Sequence, residues 1–153
     1  MFQKLTSFST VCVLTWTACA ASAACIDVKQ SDRLSFQGTL SHKVFPGAPN
    51  FEDVRKGDAR EPAYILKLDT PACAVGDDFL DASESFDRIQ LLPNDASPDP
   101  ALARTLRRFV GKRVSVQGAS AFGAHTGHHH APLLVSVKSI TAATGRRGPP
   151  QPK

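Results

Sequence analysis

Arg113-Val114-Ser115-Val116-Gln117-Gly118-Ala119-Ser120-Ala121-Phe122 and, farther on, Leu133-Leu134-Val135-Ser136-Val137-Lys138 decide the fold of this chain. In the first run Val114, Val116, Gly118, Ser120 and Phe122 alternate with Arg113, Ser115, Gln117 and Ala119. In the second, Leu133, Val135 and Val137 alternate with Leu134, Ser136 and Lys138. A period of two over this length is the pattern of a half-buried strand. Just upstream, Asp99-Pro100 has the form of an N-cap followed by proline at the first helical position. Leu102, Leu106, Phe109 and Val110 then share one helical face, with Arg104, Arg107 and Arg108 elsewhere and Gly111 as a stop, so a helix is predicted from about Pro100 to Val110.

Three more strands precede the helix. From Arg33, Leu34, Phe36, Gly38 and Leu40 alternate with polar residues, until Phe45-Pro46-Gly47-Ala48-Pro49-Asn50-Phe51 breaks the pattern. A charged stretch runs through Arg60. A second strand reads from Ala63 to Leu68 and a third from Phe86 to Leu92, with an acidic, irregular segment from Gly76 to Ser85 between them. Three strands, a helix and two strands is the order of an OB-fold, a five-stranded barrel whose helix joins the third and fourth strands. The expected class is therefore mainly β with one helix, an OB-fold-like five-stranded barrel; an open antiparallel α+β sheet is the alternative.

Between the last two strands lies His125-Thr126-Gly127-His128-His129-His130, which holds four of the five histidines. A two-residue turn at Thr126-Gly127 would set His125 opposite His128, Phe122 opposite Ala131 and Val116 opposite Val137. It would keep the apolar partners on one face. In that register His125, His128 and His130 share the outer face and His129 points inward. Three imidazoles with an open fourth position is a zinc-site composition, so His125, His128 and His130 are the candidate metal ligands and zinc or copper the candidate ions. The opposing reading is a hydrogen-bonded turn whose rings pack on the loop around Phe45 and Phe51. Because OB-folds bind ligands through the loops between strands one and two and strands four and five, Phe45, Asn50, Phe51 and His129 are the candidate ligand or partner contacts. His42 has the inward parity of the first strand and reads as an edge histidine. The carboxylates nearest to the cluster in this reading are Glu52 and Asp53. Asp77, Asp78, Asp81, Glu84 and Asp87 lack the ordered spacing of a calcium hand and read as a solvated loop.

The beginning of the chain has the composition of an export signal: Lys4, an apolar run from Val11 to Ala20, and small residues at Ala21-Ser22-Ala23-Ala24. Residues 1–24 are expected to be a signal peptide cleaved near Ala23 or Ala24, residues 25–144 a single OB-like domain, and 145–153 a disordered tail. Ser22 stands where a lipoprotein signal carries a leucine-like residue, which argues against a lipid anchor. The apolar run is too short for a stable transmembrane helix. Cys12 and Cys19 leave with the signal, so Cys25 and Cys73 remain as a lone pair, most simply a disulfide in a periplasmic or secreted protein. Closing that loop is worth about 4 kcal/mol in the chain-entropy model.

After cleavage 17 basic residues face 14 acids. The basic residues are dispersed and lack interleaved aromatics, so no nucleic-acid partner is expected. No GxSxG elbow or comparable nucleophile setting occurs. A metal-dependent hydrolase ranks behind the other readings because it needs a general base near the metal-bound water, for which Glu52 and Asp53 are the nearby candidates. The leading expectation is a binding module whose loops at 45–52 and 125–130 meet an envelope protein, a peptide or a glycan. A transition-metal protein is the alternative.

Arg88-Ile89-Gln90-Leu91, the helix, Gly111-Lys112-Arg113-Val114, the histidine motif and Leu133-Leu134 together resemble the bacterial domain-of-unknown-function family 4431. Phe45 to Glu52 and Leu68-Asp69-Thr70-Pro71 resemble segments of proteins carrying that domain. The resemblance implies an exported bacterial protein and supplies no activity or catalytic residue. Ala131 stands where the family pattern leads one to expect threonine, so no hydroxyl role is carried over to that position.

Overall fold

A computed structural model describes residues 25–30, 32, 34–93 and 99–144. The expected signal segment and tail lie outside these residues. Seven strands and one helix follow in order: β1 (Ile26–Asp27), β2 (Ser35–Pro46), β3 (Arg60–Ala72), β4 (Ala74–Val75), β5 (Phe86–Leu92), α1 (Pro100–Phe109), β6 (Arg113–Gly123) and β7 (Leu133–Ala142). Five of them close a barrel in the order β2-β3-β5-β7-β6, with β6 returning to β2. All neighbours are antiparallel except β5 and β7, which the helical crossover leaves parallel. This is the OB arrangement, and the open sheet is excluded.

Leu34, Phe36, Leu40, Leu66, Ile89 and Leu91 fill the barrel with Val114, Val116, Leu133 and Val135. Helix α1 contributes Leu106, which is fully buried, with Leu102 and Phe109 packed beside it. Its start is as read: the Asp99 carboxylate accepts from the Ala101 N–H at 2.8 Å, and Pro100 is the first helical residue. It ends at Phe109, and the Gly111 N–H then donates to the Leu40 carbonyl at 2.8 Å, which leads the chain into the β6–β2 pairing. The Cys25–Cys73 disulfide is formed beside the small parallel pair β1–β4, where the Ile26 N–H donates to the Cys73 carbonyl. Among the described residues no helix is long and apolar enough to cross a membrane.

Two strands outrun their sequence limits. β2 continues to Pro46 and β3 begins at Arg60, because Phe45 pairs with Glu61 and Pro46 with Arg60. β6 leaves β2 at Thr39, so the end of β2 is paired on one side only. A proline without an N–H is tolerated there. His42 has the parity of Leu40 but lies beyond the filled section, exposed, with its ring 4.7 Å from Tyr64.

The expected Thr126-Gly127 hairpin does not form. β6 stops at Gly123 and β7 starts at Leu133, which pair with each other, so residues 124–132 form a loop and the register lies three residues from the expected one. Val116 pairs with Ile140 rather than Val137, and Phe122 with Leu134 rather than Ala131. Bulges explain why the core residues still coincide. Gly118 pairs with Val137 and Ser120 with Ser136, leaving Ala119 as an extra residue; Gln117 pairs with Ser139, leaving Lys138 extra on β7. Each bulge reverses the alternation. After Ala119 the inward residues are Ala121 and Gly123, so Ser120 is exposed and Phe122 only half-buried, against the alternation read for them.

Candidate functional site

The loop 124–132 folds back over the outside of the barrel. Ala63, Ile65, Ala131 and Leu134 are buried yet do not belong to the main core cluster. Ile65 pairs with Gln90 and Gln90 with Leu134, so these residues share the outer face that the loop covers. Gln90 fastens it: its buried Oε1 accepts the His130 N–H at 2.6 Å. The loop between β2 and β3 approaches from the other side. There the buried Asp58 carboxylate accepts from four donors, the backbone N–H groups of Asn50, Glu52 and Asp53 and the Asn50 side-chain amide, at 2.8–3.0 Å. The N–H groups of Asp53, Glu52 and Asn50 lower its pKa to about 2. The same frame holds Phe51 at φ 60°, a conformation rare outside glycine.

The histidines divide between two neighbourhoods. On the first side the His130 ring stacks on Phe45, with centroids 4.1 Å apart and planes 7° from parallel, and only 9% of its side chain is exposed. Its Nε2 lies 3.3 Å from Glu61 Oε2, while His128 Nδ1 lies 2.6 Å from Glu61 Oε1. One carboxylate therefore joins two imidazoles. Gly47 makes room for it, since a Cβ there would overlap the Glu61 carboxylate. Gly127 is less constrained: a Cβ there would make a tight contact with the Phe51 ring at 3.0–3.3 Å. Phe51 in turn meets His128 edge-on at 5.2 Å.

On the second side His125 turns away. Its Nδ1 is 2.9 Å from the Gly123 carbonyl, and its ring packs against Phe79 and Phe122 at 5.0 and 5.6 Å. The His125 N–H donates to His129 Nδ1 at 3.0 Å. That nitrogen must carry a lone pair, so His129 is the neutral tautomer with its proton on Nε2. Burial first, and then the neighbouring His125, His128 and His130, lower the His129 pKa below 6.5. Asp77 secures this side by accepting from the Phe79 N–H (2.9 Å) and the Gly123 N–H (3.0 Å), both of which lower its pKa. Asp77 is thus a staple between two segments rather than part of a solvated loop.

The expected common face of His125, His128 and His130 does not exist, because it required the two-residue turn. Among the described residues, no group of three or more His, Cys, Asp or Glu side chains is placed to hold a metal ion. Phe45 and Phe51 do meet the histidine loop. Asn50 is engaged in the Asp58 frame, and His129 lies on the Phe122 side, 5.7 Å from that ring. Glu52 and Asp53 do not reach the cluster: Asp53 is paired with Arg55 at 3.0 Å. Glu61 is the residue that sequence reasoning missed, and its one signal is its place opposite Phe45 at the start of β3.

These features define a closed OB-type barrel carrying a histidine loop clamped between two aromatic neighbourhoods. The model of the family described as Domain of unknown function (DUF4431) matches residues 88–141, from within β5 to within β7, and over that segment the chain is similar to this family. The matched segment includes the histidine loop; Phe45, Phe51 and Glu61 precede it. No curated protein and no solved structure matches the chain.

Proposed function

We propose that this chain is an exported binding module whose single domain, residues 25–144, meets an envelope partner or ligand through the loops around 45–52 and 125–130. One observation carries this reading. The two exposed phenylalanines among the described residues, Phe51 at 38% and Phe79 at 61%, both rest against rings of the histidine loop. Exposed aromatics held by a fixed frame lose little entropy on binding and supply the anchors of many interfaces. The frame is set by Asp58 on one side and Asp77 on the other, so the surface is organised before any partner arrives.

The zinc or copper reading on His125, His128 and His130 has less support. It requires the His125 ring, packed against Phe79 and Phe122, to swing toward His128 and His130 beside Glu61, because among the described residues no group of three or more His, Cys, Asp or Glu side chains is placed to hold a metal ion. The disulfide and the composition of the first 24 residues support a periplasmic or secreted location.

A photo-crosslinking side chain at position 51 tests the binding reading, with the same group at exposed Lys138 as control. Adducts specific to position 51 in producing cells are the expected result. Equal yields at both positions would overturn it.

A further inference from the structure

Beside the histidine loop, a cleft of about 240 Å³ opens between residues 79–86 and the two ends of that loop. It is smaller than the roughly 300–1,000 Å³ of ordinary small-molecule sites and suits a single long side chain. Phe86, Leu80 and Pro132 give it an apolar lining, Phe79 stands at its edge, and Asp81 and Glu84 supply carboxylates. Phe86 is buried and Leu80 packs on the core, so the floor is rigid.

Charge points to the occupant. Between Gly76 and Asp87 there are five acids and no lysine or arginine, in a chain whose net charge is +4. Lys29 and His125 act on Asp77, which lies outside the cleft lining. Asp81 is held ionised by the Ser83 N–H and hydroxyl. The Glu84 side chain has no hydrogen bond or ion pair among the described residues.

We propose that this cleft receives the lysine or arginine side chain of a peptide partner, its aliphatic stem against Phe86, Leu80 and Pro132 and its cationic head between Glu84, Asp81 and the Phe79 ring. Such side chains bury their stems while keeping the charge near water, and an aromatic face adds attraction for the cation. The proposal rests on the binding-module reading and names its partner as a basic peptide rather than a glycan.

The test uses the whole nitrogen-15-labelled chain and two end-blocked tripeptides, glycine-lysine-glycine and glycine-norleucine-glycine. Norleucine keeps the stem and removes the ammonium. The lysine peptide should move the amide signals of Phe79, Leu80 and Glu84 and bind about tenfold more tightly than its norleucine counterpart. Glu84→Gln should weaken the lysine peptide about threefold and leave the norleucine peptide unchanged. Equal binding of the two peptides, or unmoved signals at Phe79, Leu80 and Glu84, would overturn the proposal. Signals that move only around Phe51 and His128 would reject the cleft and leave the loop surface standing. Lysine-selective binding in the cleft, with no adducts specific to position 51, would retain the cleft and reject the reading that places the partner on the loops.

Discussion

Phe45 and His130 stack ring on ring, 4.1 Å apart and 7° from parallel, although one lies next to the end of the first barrel strand and the other in the loop before the last. This contact ties the end of β2 to the histidine loop, whose His130 N–H donates to Gln90. Phe45→Ala should lower stability by about 1–2 kcal/mol, less than a fully buried phenylalanine because Phe45 is only half-buried. Urea unfolding measures that loss, and hydrogen exchange at the His130 amide should accelerate with it. Unchanged exchange would mean that the stack does not hold the loop down.

Glu61 joins His128 and His130, and Gly47 leaves it the space to do so. Glu61→Gln should shift the ring nitrogen resonances of both histidines at once and cost about 1 kcal/mol or less, since His128 is more than half exposed. Gly47→Ala should give the same spectral change by a different route: the clash falls on the flexible end of Glu61 and displaces its carboxylate. If only one of the two histidines responds, the carboxylate is not shared.

His129 gives the loop a dependence on pH. Its folded pKa lies below the ordinary 6.5, so in that window the unfolded chain takes up a proton that the folded chain resists. The stability contributed by neutral His129 is full above 6.5 and is lost as pH falls through the lowered value. Stability measured from pH 7.5 to 5 should therefore decline, and His129→Asn, which can still accept from the His125 N–H but does not titrate, should flatten the slope. An identical slope in the variant would remove His129 as its source.

Much of the barrel was legible because the buried strands alternate and the helix carries its own cap. Asp99, Pro100 and Leu106 play the parts that their positions suggest. The last register was not legible, because alternation assumes an unbroken pleat. Ala119 and Lys138 each insert one residue, so Val116 and Val135 both reach the core although the pairing differs from the one inferred. The site was half legible. The meeting of the 45–52 and 125–130 loops follows from the barrel order, whereas the separation of His125 from His128 and His130 depends on how the 124–132 loop folds back. Glu61 was hidden because its reach to the histidines depends on how far β2 and β3 pair beyond Phe45.

Asp58 should set the acid limit of the loop between β2 and β3. Its carboxylate titrates near 2 in the fold and near 3.8 when free, so its contribution is present above 3.8 and is lost as pH falls from there through about 2. Protonation adds a donor where three backbone N–H groups and the Asn50 amide already point, and the frame around Phe51 loses its centre. Asp58→Ala should reproduce that state at neutral pH: the Asn50, Glu52 and Asp53 amides should exchange faster, while those of Val116 and Val135 in the barrel remain protected. Because Phe51 depends on this frame, the variant should also lose the position-51 adducts without unfolding. Protected Glu52 and Asp53 amides in Asp58→Ala would show that the loop is organised by something other than this carboxylate.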